Sequence, residues 1–125
     1  MRLLLDTHAL LWWLVDDPRL SEWGAATIAD RRNEMLVSAV SYYEIAYKAL
    51  RRKLQTDLSA IGAAVRDGGF ELMAVSCDHA ARAGALPWEH RDPWDRLLAA
   101  QAEIEACGLL SADAVFDTLD VGRCW

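Results

Sequence analysis

The chain has 125 residues and a formal net charge of −6, from 19 acidic and 13 basic side chains. This acidic balance argues against a protein that binds nucleic acid through a broad basic surface, so contact with a polyanion must be local or assisted by a metal ion. The cysteines, Cys77, Cys107 and Cys124, are odd in number and lack C-x-x-C spacing, which argues against a disulfide framework or a zinc site and favours a reducing cytoplasm.

The first part of the chain predicts two buried strands with two helices between them. "RLLLD" at 2–6 has the continuous apolar run of a strand that is buried on both faces. "THALLWWLVDD" continues as a helix that Pro18 ends, and its apolar stretch at 9–15 is too short to span a membrane. Ser21 is placed to cap a helix over 21–32, and "EMLVSAVS" at 34–41 predicts the second strand.

The rest of the chain continues this alternation. Helices are predicted over 41–54, 57–66, 77–86 and 93–108, strands over 70–76, 109–112 and 121–125, and a turn or short helix over 113–118. The inward residues of the helix over 41–54 are predicted to be Ile45, Ala49 and either Tyr42 or Leu50. The helix over 93–108 opens with Pro93 in its first turn and closes on Gly108. Its buried side is predicted to consist of Leu97, Leu98 and Ile104.

Strands that alternate with helices predict a parallel sheet with right-handed crossovers. We therefore expect an α/β fold of three layers, in which a central parallel sheet of four to five strands is flanked by helices. No linker, repeat or low-complexity tract divides the sequence, so residues 1–125 are predicted to form a single domain.

Acidic residues follow the predicted strands at positions that share one sheet edge. Asp6 follows the first strand, Glu44 lies in the first turn of the helix after the second, and Asp113 follows the fourth. Asp95 joins them because the helix that it opens leads back into a strand of the same sheet. Each acid also has a local interpretation as a helix cap, including a capping box formed by Ser41 and Glu44. Capping alone does not explain why the acids converge.

Clustered carboxylates need a compensating charge or proton. Two of them about 4 Å apart repel by roughly 4 kcal/mol at an effective dielectric constant near 20. Either some are protonated through raised pKa values, or a hard divalent cation such as Mg²⁺ or Mn²⁺ lies among them. The second arrangement is typical of phosphodiester hydrolysis.

Four segments in this order resemble the PIN-domain ribonucleases, in particular the VapC-type toxins: "LLLDTHALLWWL", "SAVSYYEIAYKALRRKL", "HRDPWDRLLAAQA" and "LLSADAVF". The resemblance implies a PIN-like fold and a metal-dependent endoribonuclease of a type II toxin–antitoxin system. It places the catalytic and metal-binding acids at Asp6, Glu44, Asp95 and Asp113, with Asp92 as an accessory acid. It also implies a cognate antitoxin as partner and a homodimer.

Several neighbours of these acids remain open assignments. "ADAVFDTLD" offers Asp117 and Asp120 beside Asp113, which is favoured because it directly follows the strand. Thr7 is a candidate for hydrogen bonding to an oxygen at the metal site, or for satisfying the backbone at its helix start. His8 is expected to be structural or partly exposed rather than a metal ligand, and the same expectation holds for His79 and His90.

Basic and aromatic residues near the acids are candidates for RNA contact. Lys48, Arg51 and Arg52 occupy neighbouring helix positions and either contact phosphates or form a solvated face. Arg91 and Arg96 flank the acids of "HRDPWDR" and either hold substrate or orient those acids. The tryptophans that could stack on unpaired bases or line a groove for a partner helix are Trp12, Trp13, Trp88 and Trp94.

Other classes of protein share part of this pattern. A Mg²⁺-binding receiver-like signalling domain has a similar length, but it requires a late lysine, whereas the lysines here are Lys48 and Lys53. A haloacid-dehalogenase-type phosphatase requires Asp-x-Asp, whereas "DTH" has His8 in the second acidic position. A catalytically inactive PIN-like binding module also remains as an alternative.

Overall fold

The structure, a computed structural model, describes residues 1–51 and 56–125. Strands and helices alternate along the chain, as predicted. The strands are β1 (Arg2–Leu5), β2 (Glu34–Ser38), β3 (Glu71–Met73), β4 (Gly108–Leu110) and β5 (Arg123–Cys124). The α-helices are α1 (Thr7–Leu14), α2 (Glu22–Ala29), α3 (Ala39–Leu50), α4 (Leu58–Asp67), α5 (Cys77–Ala85) and α6 (Pro93–Ile104), and a 3₁₀ helix spans Ala114–Thr118.

In the described residues, five strands form one parallel sheet in the order β3-β2-β1-β4-β5. The chain moves outward from β1 through β2 to β3, and then returns to the other side of β1 with β4. The strand order therefore reverses between β1 and β4. In open parallel sheets, ligands bind in the crevice beyond the carboxyl ends of the strands at such a reversal.

The alternating side chains of the central strands divide the core into two layers. Leu4 of β1 packs into a cluster with α5 and α6, whereas Leu3 and Leu5 pack on the other face against residues of α1, α2 and α4. All three leucines are buried, which explains why β1 is continuously apolar. The predicted three-layer α/β fold is confirmed. No helix in the described ranges combines the length and apolar content that crossing a bilayer requires.

Helix α3 begins two residues earlier than predicted. Strand β2 ends at Ser38, whose Oγ accepts a hydrogen bond from Val40 N at 3.0 Å and so caps the helix. The predicted capping box of Ser41 and Glu44 is therefore wrong, because both residues lie inside α3, and Glu44 is in its second turn. Facing the core, Ile45 is fully buried and Tyr42 is partly buried, whereas Leu50 is 81% exposed.

Helix α6 ends at Ile104 rather than at Gly108. Ala106 adopts the left-handed conformation with φ of 50°, and Cys107 N donates to Ala102 O at 3.1 Å, which closes the helix. Gly108 instead opens β4, where an added Cβ would lie 2.7 Å from Leu3 Cδ2. Ile104, predicted to be buried, is 42% exposed because the helix ends there.

We expect Ser38→Ala to lower the free energy of unfolding by about 2 kcal/mol, because Ser38 Oγ both caps α3 and donates to the buried Gln101 Oε1 at 2.6 Å. Ser21→Ala is the matched control, since Ser21 caps α2 through Gly24 N, and we expect it to cost about 1 kcal/mol. Urea unfolding of both variants measures the difference. Equal losses would contradict the double role of Ser38.

Candidate active site

Asp6 directly follows β1, at the point where the strand order reverses between β1 and β4, and is 7% exposed. Its Oδ1 accepts a hydrogen bond from Ala9 N at 2.7 Å, which caps α1, and its Oδ2 accepts one from Ser111 Oγ at the end of β4. Asp6 N donates to Leu110 O at 3.1 Å, so its backbone is also tied to β4. The sequence analysis did not identify Ser111, although its position directly after a buried strand was a usable signal.

Burial raises the pKa of Asp6 above its ordinary value. The hydrogen bonds from Ala9 N and Ser111 Oγ act in the opposite direction, and the nearby Glu44 carboxylate adds to the increase. The ionised form of Asp6 is thus held in a site that disfavours its charge. A compensating cation would remove this penalty.

Glu44 reaches the same edge of the sheet from α3 and is 7% exposed. Lys48 Nζ, one turn further along the helix, lies 2.5 Å from Glu44 Oε2. Thr7 Oγ1 donates to Ser41 Oγ at 3.0 Å, and both residues are buried, so the first turns of α1 and α3 are joined beside Asp6. Thr7 therefore connects the two helices that carry Asp6 and Glu44.

Asp95 and Asp92 occupy the start of α6 and have different partners. Asp92 caps the helix, because its Oδ1 accepts hydrogen bonds from Trp94 N at 2.9 Å and Asp95 N at 3.0 Å. Asp95 Oδ2 instead lies 2.7 Å from His90 Nε2. Burial raises the pKa of Asp95, the contact with His90 opposes this increase, and the Asp92 and Asp113 carboxylates add to it.

Asp113 is exposed and caps the 3₁₀ helix by accepting from Val115 N at 2.9 Å. Its own N–H donates to Ser111 Oγ at 3.0 Å, the hydroxyl that also bonds Asp6. Asp117, the alternative for this position, forms an ion pair with Arg123 at 2.6 Å that lowers its pKa. The contact through Ser111 favours Asp113 as the acid next to Asp6.

The four acids influence one another's charges without forming a closed cluster. The Glu44 carboxylate contributes to the raised pKa of Asp6 and the Asp113 carboxylate to that of Asp95, and the Ser111 hydroxyl contacts both Asp6 and Asp113 N. Within residues 1–51 and 56–125, however, no three His, Cys, Asp or Glu side chains stand close enough to hold a metal ion together. Each acid instead has a local partner. Asp6 accepts from Ala9 N and Ser111 Oγ, and Glu44 pairs with Lys48. Asp95 contacts His90, and Asp113 accepts from Val115 N. The donor chemistry, all carboxylate oxygens beside a buried charge, fits a hard divalent cation.

The basic residues predicted to contact RNA differ in whether their charged groups already have a partner within the protein. Lys48 is paired with Glu44 and lies 5.8 Å from the centroid of the Trp94 ring. Arg51 lies over the Tyr47 ring at 3.4 Å, and Arg91 is exposed. Arg96 donates to backbone carbonyls of the segment before α6, and Arg52 lies outside the described residues.

An apolar groove of about 550 Å³ lies between α3 and α6, the helices that carry Glu44 and Asp95, and neither acid is among its lining residues. Its aromatic wall consists of Tyr43, Tyr47 and Trp94, with Tyr47 and Trp94 packed edge to face at 5.3 Å. The other predicted aromatic residues lie elsewhere: Trp88 packs on His90 and Phe116, Trp12 packs on Trp125, and Trp13 packs against the core. Of the tryptophans predicted to stack on bases or to line a groove, Trp94 lines this one, whereas its neighbours Tyr43 and Tyr47 were not predicted.

A family model for the PIN domain matches residues 3–122. The chain belongs to the PIN-domain family. One member, Ribonuclease VapC22 of Mycobacterium tuberculosis (strain ATCC 25618 / H37Rv), is 32% identical over 117 residues, covering 88% of this chain and 85% of the relative. Ribonucleases of the PIN family usually require a divalent metal ion.

Solved PIN-like structures share the fold. VapBC2 from Rickettsia felis, bound to a promoter DNA fragment, superposes with a TM-score of 0.70 at 16% identity, over 97% of this chain and 95% of that chain. A toxin–antitoxin complex from Klebsiella pneumoniae gives a TM-score of 0.68 at 19% identity, over 98% and 95%. VapBC-1 from nontypeable Haemophilus influenzae gives 0.63 at 13% identity, over 91% and 88%.

We expect Asp6→Asn to raise the free energy of unfolding at pH 7 by about 1 kcal/mol in the presence of a chelator, because it removes a charge that the site disfavours. The raised pKa means that the folded state of the wild type gains stability as the pH falls through that pKa. The advantage of the variant therefore shrinks on acidification and disappears near the ordinary pKa of an aspartate.

Asp30→Asn is the matched control for this comparison. Arg32 lowers the pKa of Asp30 to about 2, so this exposed carboxylate stabilises the fold above its ordinary pKa and its loss gives no gain. Denaturant unfolding between pH 4 and about pH 8 distinguishes the two variants. A neutral or destabilising Asp6→Asn at pH 7 would show that burial does not penalise the Asp6 charge.

Proposed function

We propose that the protein is a VapC-type endoribonuclease toxin that hydrolyses RNA phosphodiester bonds and is controlled by a cognate antitoxin. Membership of the PIN family, the ribonuclease relative and the toxin–antitoxin complexes among the structural neighbours support this proposal. The observation that carries it is the buried Asp6 carboxylate at the strand-order reversal, held in two hydrogen bonds although burial disfavours its charge.

Asp6, Glu44, Asp95 and Asp113 would hold the divalent ion, Mg²⁺ or Mn²⁺. When bound, the ion would lower the pKa of a water molecule and would neutralise charge on the phosphate of the substrate. Asp6 needs little rearrangement for this role, because Ala9 N and Ser111 Oγ already fix both of its oxygens while leaving lone pairs available.

The other residues would orient these acids and the RNA. His90 holds one oxygen of Asp95, and Asp92 fixes the first turn of α6 beneath it. Thr7 acts as an accessory residue through its bond to Ser41, which keeps α1 and α3 together. Lys48, Arg51 and Arg91 lie on or near these elements and would contact phosphates; Arg52 is proposed for the same role from the sequence alone.

The strand order argues against a receiver-like signalling domain. Receiver domains and flavodoxins have the order 2-1-3-4-5, whereas this sheet has the order β3-β2-β1-β4-β5. A catalytically inactive PIN-like module would need no disfavoured charge at Asp6, since an asparagine could also cap α1. Measurement of cleavage decides between this alternative and the enzyme.

We expect the purified chain to cleave RNA only with Mg²⁺ or Mn²⁺, and Asp6→Asn or Asp113→Asn to lower the rate by about 100-fold or more, because each removes an oxygen ligand of the cation. Asp117→Asn is the matched control, since Asp117 is paired with Arg123. Gel analysis of total RNA with and without chelator measures the loss, and circular dichroism checks the fold. Equal, chelator-resistant cleavage by wild type and Asp6→Asn would refute the assignment.

We expect expression of the chain without its antitoxin to arrest bacterial growth, and Glu44→Gln to relieve the arrest because it removes a carboxylate next to Asp6. Growth curves after induction, with immunoblots to match protein levels, measure the effect. Asp117→Asn should arrest growth like the wild type. Arrest that persists with Glu44→Gln would point to toxicity unrelated to the acidic site.

The antitoxin and a second copy of the chain are the protein partners that we propose. The aromatic groove between α3 and α6 is exposed, with Tyr43 61% accessible to solvent. An apolar surface of this kind, on the two helices that carry Glu44 and Asp95, is suited to protein contact that also controls access to the site. The cleavage assay above, repeated with the purified antitoxin, tests whether binding blocks the acids.

A further inference from the structure

Arg96, in the first turn of α6, forms hydrogen bonds with the backbone of the segment that precedes the helix. Its Nε donates to Ala83 O at 2.9 Å, and its Nη2 donates to Leu86 O at 2.9 Å. Its Nη1 donates to Trp88 O at 2.7 Å and to His90 O at 3.0 Å. One guanidinium group thus holds carbonyls from the end of α5 through the loop at 86–92.

A loop of this kind has few other ways to satisfy its carbonyl groups, because it lies outside the helices and strands. The planar guanidinium presents five N–H donors in a fixed fork, which lets it bind several carbonyls at once. A lysine carries the same charge but cannot reproduce this arrangement. Replacement of Arg96 by lysine therefore distinguishes the contribution of the positive charge from that of the guanidinium geometry.

The loop carries two side chains that reach the candidate active site. His90, whose carbonyl Arg96 binds, places Nε2 2.7 Å from Asp95 Oδ2. The Trp88 ring packs on the His90 ring with centroids 4.7 Å apart, and its Nε1 donates to Thr118 Oγ1 at 2.7 Å. Thr118 belongs to the 3₁₀ helix that Asp113 caps. The loop thus connects the element bearing Asp95 to the element that follows Asp113.

We propose that Arg96 is a positioning residue, which holds the 86–92 loop so that His90 and Trp88 orient Asp95 and the 3₁₀ helix after Asp113. This proposal rests on the ribonuclease function proposed above and names how two of its acids are aligned. The sequence left open whether Arg96 holds substrate or orients the acids. The proposal takes the second interpretation, because the guanidinium donors point at the protein backbone rather than outward at a phosphate.

The test compares Arg96→Lys and Arg96→Ala in the full chain, with RNA cleavage measured under single-turnover and steady-state conditions. We expect kcat to fall by about 10- to 100-fold in both variants, as for loss of groups that orient metal ligands, while KM changes by less than about threefold. Arg82→Ala is the matched control, because Arg82 joins α5 to Glu103 of α6 through one exposed ion pair. It should keep wild-type kcat and KM.

RNA binding, measured in the Asp6→Asn background so that the RNA is not cleaved, tests the alternative that Arg96 contacts phosphate directly. Direct phosphate contact by Arg96 predicts weaker binding, a salt-dependence slope smaller by about 1, and recovery with lysine. Those results would overturn the positioning role, as would wild-type kcat in Arg96→Lys. An unchanged slope with low kcat in both variants supports it.

Hydrogen exchange without RNA separates this proposal from the proposed function. We expect loop amides at 86–92 to exchange faster in Arg96→Lys, with the β1 amides unchanged, and unchanged loop exchange would overturn the proposal. If the wild-type chain does not cleave RNA at all, the ribonuclease function fails, and the exchange data still decide whether Arg96 holds the loop. Arg96→Lys keeps the test valid if Arg96→Ala does not fold.

Discussion

The candidate site depends on one constraint, which is that the Asp6 carboxylate is buried where the strand order of the sheet reverses. Asp6 is nearly inaccessible, and its pKa is raised because the surrounding protein disfavours its charge. The fold compensates for this only in part, with a backbone N–H from α1 and the hydroxyl of Ser111. A cation bound beside Asp6 would offset the remaining electrostatic cost. Under the proposed function, the stability lost at this position would serve the binding of that cation.

Two of the acids proposed to be catalytic also cap helices in this structure. Asp6 and Asp113 each cap the helix that follows a central strand, so each acid is oriented by the backbone that it stabilises. Glu44 and Asp95 do not cap their helices and take side-chain partners instead, Lys48 and His90. The local capping interpretation is thus correct for two acids and insufficient for the other two. Helix capping therefore does not explain why Glu44 and Asp95 are acidic.

The loop before α6 gives a second example of a charged side chain that faces the protein rather than solvent. Arg96 adds a positive charge to an acidic chain, yet its donors face carbonyl groups rather than solvent. Through Trp88 and His90, the same loop reaches both α6 and the 3₁₀ helix. A basic residue near the acids is therefore not assigned to RNA contact by its charge alone, because Arg96 directs its donors at the protein backbone.

The order of elements, the apolar strands and most helix starts were predictable because they depend on neighbouring residues. The buried run in β1, the Ser21 cap and Pro93 in the first turn of α6 are signals of this kind. The positions of the acids after the strands followed from the same signals. The errors lie where two nearby residues could each begin or end a helix. Ser38 rather than Ser41 caps α3, and the left-handed backbone of Ala106 ends α6 before Gly108.

By itself, the sequence determined an α/β chain with acids at strand ends and a resemblance to PIN-domain ribonucleases. Only the tertiary structure decided that β4 lies beside β1, which brings Ser111 to Asp6 across 105 residues. It also decided that Ser111 links Asp6 to the backbone of Asp113 and that Arg96 faces the loop backbone. The physical reason is that helix and strand signals arise from nearby residues, whereas strand order and side-chain partners are set by how distant elements pack.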